Sequence, residues 1–147
     1  MIKVFIVEDS VLVRERLLTM VSEIGGVEVI GQTGDPQYAR MTIRLFHPDV
    51  VILDIRLPGG SGIDVLKKIK QEKEAPVVIV LTSFPYPQYR KECINAGAEF
   101  FFNKSTEFDK VSEILKMLAE KKRNPMIGNP GFEAFGWKEG RYARPPE

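Results

Sequence analysis

His47-Pro48-Asp49-Val50-Val51-Ile52-Leu53-Asp54-Ile55-Arg56-Leu57-Pro58-Gly59-Gly60-Ser61-Gly62 runs four consecutive apolar residues straight into a carboxylate and then into a Pro-Gly-Gly turn. An unbroken apolar run of this length, bounded by turn signals and rich in β-branched residues, reads as a strand covered on both faces. A charge at the end of such a strand is costly unless it is paired or put to use. Asp54 is therefore the first candidate functional residue.

Four more runs of the same character lie at residues 2–7, 27–31, 77–81 and 99–102. Between them the apolar residues recur at helical spacing: Val13, Leu17, Val21 and Ile24; Ala39, Ile43 and Phe46; Leu66 and Ile69; Phe108, Val111, Leu115 and Leu118. Ser10 is placed to cap the first helix and Gly25-Gly26 to end it. Ser105 or Thr106 is expected to cap the last, with Glu107 and Asp109 in its opening turn. The fourth helix starts near Pro87, because Pro85 and Pro87 suit only a loop or a first turn, and it ends at Asn95-Ala96-Gly97. The alternation is α/β, (βα)5, and right-handed crossovers lead to a flavodoxin-like, doubly wound parallel sheet of strand order 2-1-3-4-5.

The chain has 147 residues, and its 21 Lys and Arg against 20 Asp and Glu leave a net charge of +1. No global field steers it to nucleic acid or membrane. Its single cysteine, Cys93, has no internal disulfide partner, which fits a reducing, cytoplasmic setting. The apolar N-terminal run stops at Glu8, far short of a signal peptide or membrane span. After Arg123 the character changes: Asn124-Pro125, Gly128-Asn129-Pro130-Gly131 and Pro145-Pro146 break any helix, and Phe132, Phe135, Trp137 and Tyr142 are scattered among them. Residues 1–123 are thus expected to form one domain and 124–147 a tail with no output domain, and no helix-turn-helix or basic cluster for direct nucleic-acid binding is present.

On this scaffold Glu8 and Asp9, Asp54, Thr82 and Lys104 all fall at carboxyl ends of strands, the edge where open parallel sheets bind ligands. Three carboxylates facing one another repel unless a cation lies among them. Oxygen donors select Mg2+, with Mn2+ or Ca2+ able to substitute, and Mg2+ at one or two carboxylates leaves room for waters and a phosphate. Asp54 is then an available nucleophile for phosphorus, Lys104 a second positive charge and Thr82 a hydroxyl donor, with the small Ser83 leaving the approach open.

Glu8-Asp9, the segment 47–62, Leu81-Thr82-Ser83, Gly97-Ala98 and Phe101-Phe102-Asn103-Lys104 together resemble the receiver domain of two-component response regulators, across residues 1 to about 122. The resemblance implies a phosphoacceptor at Asp54 and a metal pair at Glu8 and Asp9. It also implies a metal-binding backbone carbonyl at Arg56, phosphoryl contacts at Thr82 and Lys104, and an aromatic switch at Phe101 coupled to Thr82. It implies a sensor histidine kinase or phosphotransfer protein as donor and a downstream protein as reader, with the tail free to dock on that partner or on a second copy in a homodimer.

Three departures stand out. Glu8 replaces the Asp of many members. Ser105 follows Lys104 where many have Pro, so that peptide is expected trans. Arg56 brings a long cation that could pair with a phosphoryl group or obstruct water. Arg56 also argues against a phosphatase of the haloacid dehalogenase type, whose second Asp would stand at that position. Gly59-Gly60-Ser61-Gly62 lacks the Lys of a nucleotide-binding loop. A phosphorylation-independent module is disfavoured by the intact set Glu8, Asp9, Asp54, Thr82 and Lys104. His47 reads as a solvated loop residue, and Cys93 as a small helix residue packed in the core.

Overall fold

The computed structural model describes residues 1–126; the expectations for the aromatic residues of 127–147 lie outside the described residues. Seven strands and five helices follow one another: β1 (Ile2–Val7), α1 (Val11–Ser22), β2 (Val27–Thr33), α2 (Pro36–Phe46), β3 (Val50–Leu53), β4 (Arg56–Leu57), β5 (Gly60–Ser61), α3 (Gly62–Ile69), β6 (Val77–Thr82), α4 (Pro87–Asn95), β7 (Phe100–Asn103) and α5 (Phe108–Arg123). The parallel sheet runs β2-β1-β3-β6-β7, which is the expected 2-1-3-4-5 once the short antiparallel ribbon β4-β5 is set aside. That ribbon was not anticipated. Two residues on each side of Pro58-Gly59 are too few to show any periodicity.

Burial explains why the central strands read as solid apolar runs. Every residue of β3 and β6 is buried, and only Lys3 of β1 is exposed. One helical layer, α1 and α5, packs on Val4, Ile6, Ile52, Ile79 and Phe102. The other, chiefly α2 and α3 with Cys93 of α4, packs on Phe5, Val51, Leu53, Val80 and Phe101. The edge strand β2 alternates instead, because only one of its faces is well covered.

Local signals set most helix ends. The Ser10 hydroxyl accepts from the Val13 amide at 3.3 Å, and the Asp35 carboxylate from the Gln37 amide at 2.9 Å. His47 closes α2 in the left-handed conformation, exposed as expected. The last helix departs from its expected cap. It begins at Phe108, and neither Ser105 nor Thr106 caps it. The Ser105 amide donates to the Asn103 side chain at 2.8 Å and the Glu107 amide to the Asn103 carbonyl at 2.8 Å, so the two hydroxyl residues are spent in a turn before the helix starts. Residue Phe46 also departs: Ala39 and Ile43 are buried, but Phe46, at the last turn of α2, is 64% exposed. Among the described residues no peptide is cis, Lys104–Ser105 included, and no helix is long and apolar enough to cross a membrane.

Burial of Cys93 pushes its thiol up to about 12, with the neighbouring Glu92 adding to the effect. The thiolate is the reactive form, so Cys93 is expected to resist alkylation by iodoacetamide in the folded chain and to react fully in denaturant; rapid labelling of the native protein would contradict its placement.

Candidate functional site

Backbone pairing at the carboxyl edge of the sheet brings the chemistry-bearing residues together. The Asp54 amide donates to the Val7 carbonyl at 2.9 Å, which carries Asp54 alongside the end of β1. The Lys104 amide donates to the Thr82 carbonyl at 2.8 Å, which does the same for the ends of β7 and β6. Glu8 is 3% exposed and Asp54 7%, and their carboxylates converge on one ammonium: Lys104 Nζ lies 2.7 Å from Glu8 Oε1 and 3.0 Å from Asp54 Oδ2. The remaining oxygens are also occupied. Ser10 donates its amide to Glu8 Oε2 at 2.9 Å, and Arg56 donates its amide to Asp54 Oδ1 at 3.2 Å.

Burial opposes the charge on Lys104, but the hydrogen bond to Glu8 and the fields of Asp54 and Glu8 outweigh it and leave the ammonium above its ordinary range. The lysine is thus a fixed cation at neutral pH. Thr82 is fully buried, and its hydroxyl accepts from the Phe84 amide at 3.0 Å. Phe101 is buried in the core. Arg90 stands 5.6 Å from its ring centroid and donates to its carbonyl at 3.2 Å. The structure therefore gathers Glu8, Asp54 and Lys104, sets Thr82 at the end of the adjacent strand, and turns Phe101 inward.

Residues 4–116 match the family model described as the response regulator receiver domain. The chain belongs to that family. A protein-glutamate methylesterase/protein-glutamine glutaminase of Leptospira interrogans is 46% identical over 79 residues, which is 54% of this chain and 23% of the relative. One from Syntrophotalea carbinolica is 34% identical over 120 residues, or 81% of this chain and 34% of the relative. The chain thus spans between about a quarter and about a third of the length of these relatives. Among solved structures, the response regulator domain of Thermotoga maritima CheB superimposes with a TM-score of 0.71 at 27% identity, over 84% of this chain and 96% of that one. A chain of the CheX-CheY-BeF3-Mg2+ complex from Borrelia burgdorferi gives 0.67 at 25% identity, over 77% and 88%.

The receiver site differs from expectation in its third carboxylate. Among the described residues no three Asp, Glu, His or Cys side chains close around a point, because Asp9 is exposed and packs beside Gly34, where an added Cβ would come within 3.0 Å of Asp9 Oδ1. Two buried carboxylates rather than three share the centre, and Lys104 supplies the countercharge. The donor set still suits Mg2+: the converging groups are hard oxygens, and this ion accepts one or two carboxylates with water completing its shell. Arg56 departs as well. Its side chain is exposed and lies over the Phe84 ring, 4.3 Å from the centroid, so it links the loops after β3 and β6 instead of entering the site.

One positioning residue escaped the sequence reading. Gly62 opens α3, capped by the Ser61 hydroxyl accepting from the Ile63 amide at 3.0 Å, and a Cβ on it would fall 2.1 Å from the Asp54 carbonyl oxygen and 2.6 Å from Ile55 Cα. The glycine signal was visible in Gly59-Gly60-Ser61-Gly62, but only the fold shows that the last of them touches the backbone of Asp54. Gly62→Ala is expected to destabilise the domain by about 1–3 kcal/mol in urea unfolding, the usual cost of forcing a methyl into a filled space; an unchanged midpoint would show that Asp54 has room to move.

Proposed function

We propose that this receiver accepts a phosphoryl group on Asp54 from a histidine kinase or phosphotransfer protein, in a Mg2+-dependent reaction, and changes its protein partner as a result. The supporting observation is the shared ammonium: Asp54 and Glu8 are buried on the same cation, a pre-assembled polar centre in a family of two-component receivers. Glu8 and Asp54, with Asp9 at the rim and the Arg56 carbonyl, are the groups that would hold Mg2+, which when bound would neutralise charge on the phosphoryl oxygens. The Borrelia CheY was solved with BeF3 and Mg2+ and with CheX bound, and the same kinds of ligand and partner are inferred for this chain.

Asp54 Oδ2 is the oxygen that attacks phosphorus, since Oδ1 is held by the Arg56 amide, and as the new O–P bond forms the bond from phosphorus to the donor's histidine nitrogen breaks and the imidazole leaves with that electron pair. Lys104 then transfers its contact from Asp54 to a phosphoryl oxygen, remaining protonated throughout. Thr82 gives up the Phe84 amide and turns its hydroxyl toward another phosphoryl oxygen, and the loop from Ser83 to Pro87 follows, altering the surface formed with α4, β7 and α5. Phe101, buried under Arg90, is the packing partner of that movement. The chain acts as a switch that assists its own phosphorylation and dephosphorylation.

Incubation with Mg2+ and a small phosphodonor is expected to add one phosphoryl group by intact mass, and Asp54→Asn to abolish the gain; no gain in the wild-type chain would overturn the reading in favour of a phosphorylation-independent module. Arg56→Ala is expected to shorten the lifetime of the phosphorylated form, since the guanidinium on Phe84 ties together the two loops flanking Asp54 and Thr82 and limits the entry of water. An unchanged decay rate would remove Arg56 from the account.

A further inference from the structure

The exposed apolar surface of the domain is concentrated on α2 and the neighbouring edge strand. Tyr38, Met41, Leu45 and Phe46 on the helix and Ile30 on β2 are all exposed, and between helix and strand lies a groove of about 400 Å3 floored by Phe5 and Gly31 and walled by Ile30, Tyr38 and Phe46. Two features of the sequence build it. Gly31 leaves the space that the Phe5 ring fills, since an added Cβ would sit 2.7 Å from that ring. The register between β1 and β2 skips Ile30, with Val4 opposite Val29 and Phe5 opposite Gly31, and a bulge of this kind re-aims a side chain. The outer flank of β2 borders no other strand among the described residues. Contiguous apolar surface beside an open strand edge marks a binding surface more often than chance exposure does.

We propose that the occupant is residues 132–142 of this same chain, which seat Phe132, Phe135 and Trp137 in the groove. The place where the described chain ends supports this. At the end of α5, Lys122 Nζ donates to the Met1 carbonyl at 2.8 Å and stands 3.9 Å from Asp49 Oδ2, which accepts the Lys3 amide at 2.8 Å. Lys3 itself lines the groove, so α5 delivers the chain to the rim at which the groove opens. From Arg123 to Phe132 the backbone can span roughly 30 Å at about 3.3 Å per residue, enough to pass round that rim. Four aromatic side chains within 132–142 match the apolar, aromatic lining. A tethered segment also competes at a high effective concentration, which favours it over a second copy or a free peptide. An extended segment would in addition find the unpaired edge of β2 available for main-chain hydrogen bonds.

Trp137 is the single tryptophan, so its fluorescence reads the proposal directly in the full chain. The expected result is blue-shifted emission protected from acrylamide, unchanged on dilution, and moved to the position of free indole by Phe46→Glu, with quenching raised severalfold. Phe46 is largely exposed and its replacement leaves the core intact; Ile30→Lys provides the same test should the first variant fold poorly, as judged by circular dichroism. Leu12→Glu, on an exposed residue of α1, is expected to change nothing. Free-indole emission in the wild-type chain overturns the proposal, as does a blue shift insensitive to both groove variants. A blue shift that disappears on dilution assigns the groove to a second copy instead.

Discussion

A single ammonium held between two buried carboxylates is the constraint around which this receiver is organised. Neither Glu8 nor Asp54 could be buried alone without a large desolvation penalty, and removing one member of such a group leaves the others uncompensated. Lys104 resolves the conflict by contacting both. The carboxylates in turn hold Lys104 charged: with its pKa raised above the ordinary 10.5, the stabilisation from its charge is fully present below that value as long as the carboxylates are ionised, and is lost as pH rises through the raised value. The result is a polar centre in which one ammonium faces two carboxylates, so that a negative excess remains for a divalent ion to offset and the ammonium can exchange one of its contacts for a phosphoryl oxygen.

The sheet supplies the frame. Ladder bonds at the ends of β1 and β6 fix the main chain of Asp54 and Lys104, and Gly62 lets the start of α3 press against the Asp54 carbonyl. At the opposite edge a second buried pair pins the strands. Glu99 accepts from Lys70 Nζ at 2.9 Å and from the Val78 amide at 2.8 Å, and Lys70 also donates to the Pro76 carbonyl at 2.7 Å. The two ion pairs do different work. The Lys70 pair ties α3, β6 and the start of β7 through backbone partners and has little freedom, whereas the Lys104 group sits at the edge where loops can move.

The fold was legible because burial of the central strands forces continuous apolar runs: β1 and β3 coincide with the runs read at 2–7 and 50–53, and β6 extends only to Thr82. Asp54, Glu8, Lys104 and Thr82 were legible from their place at strand ends. What the sequence hid were properties of distance. The exposure of Asp9 depends on its packing beside Gly34, the engagement of Arg56 on a ring contact with Phe84, and the need for glycine at 62 on a backbone that is near only once the chain has folded. Glu99 read as the first residue of a strand, yet it precedes β7 and is buried on Lys70, a partner distant in sequence. The exposed Phe46 misled for a similar reason: helical spacing identifies a face, but whether that face is covered depends on how far the edge strand extends beside it.

The most direct test of the shared-cation account is calorimetric titration of Mg2+ into the wild-type chain and into Lys104→Met. With the competing ammonium gone, the two carboxylates should take up the ion several-fold more tightly, provided circular dichroism shows the variant folded. Equal or weaker binding in the variant, or no uptake by either protein, would contradict the claim that Lys104 and a divalent ion answer to the same pair of carboxylates.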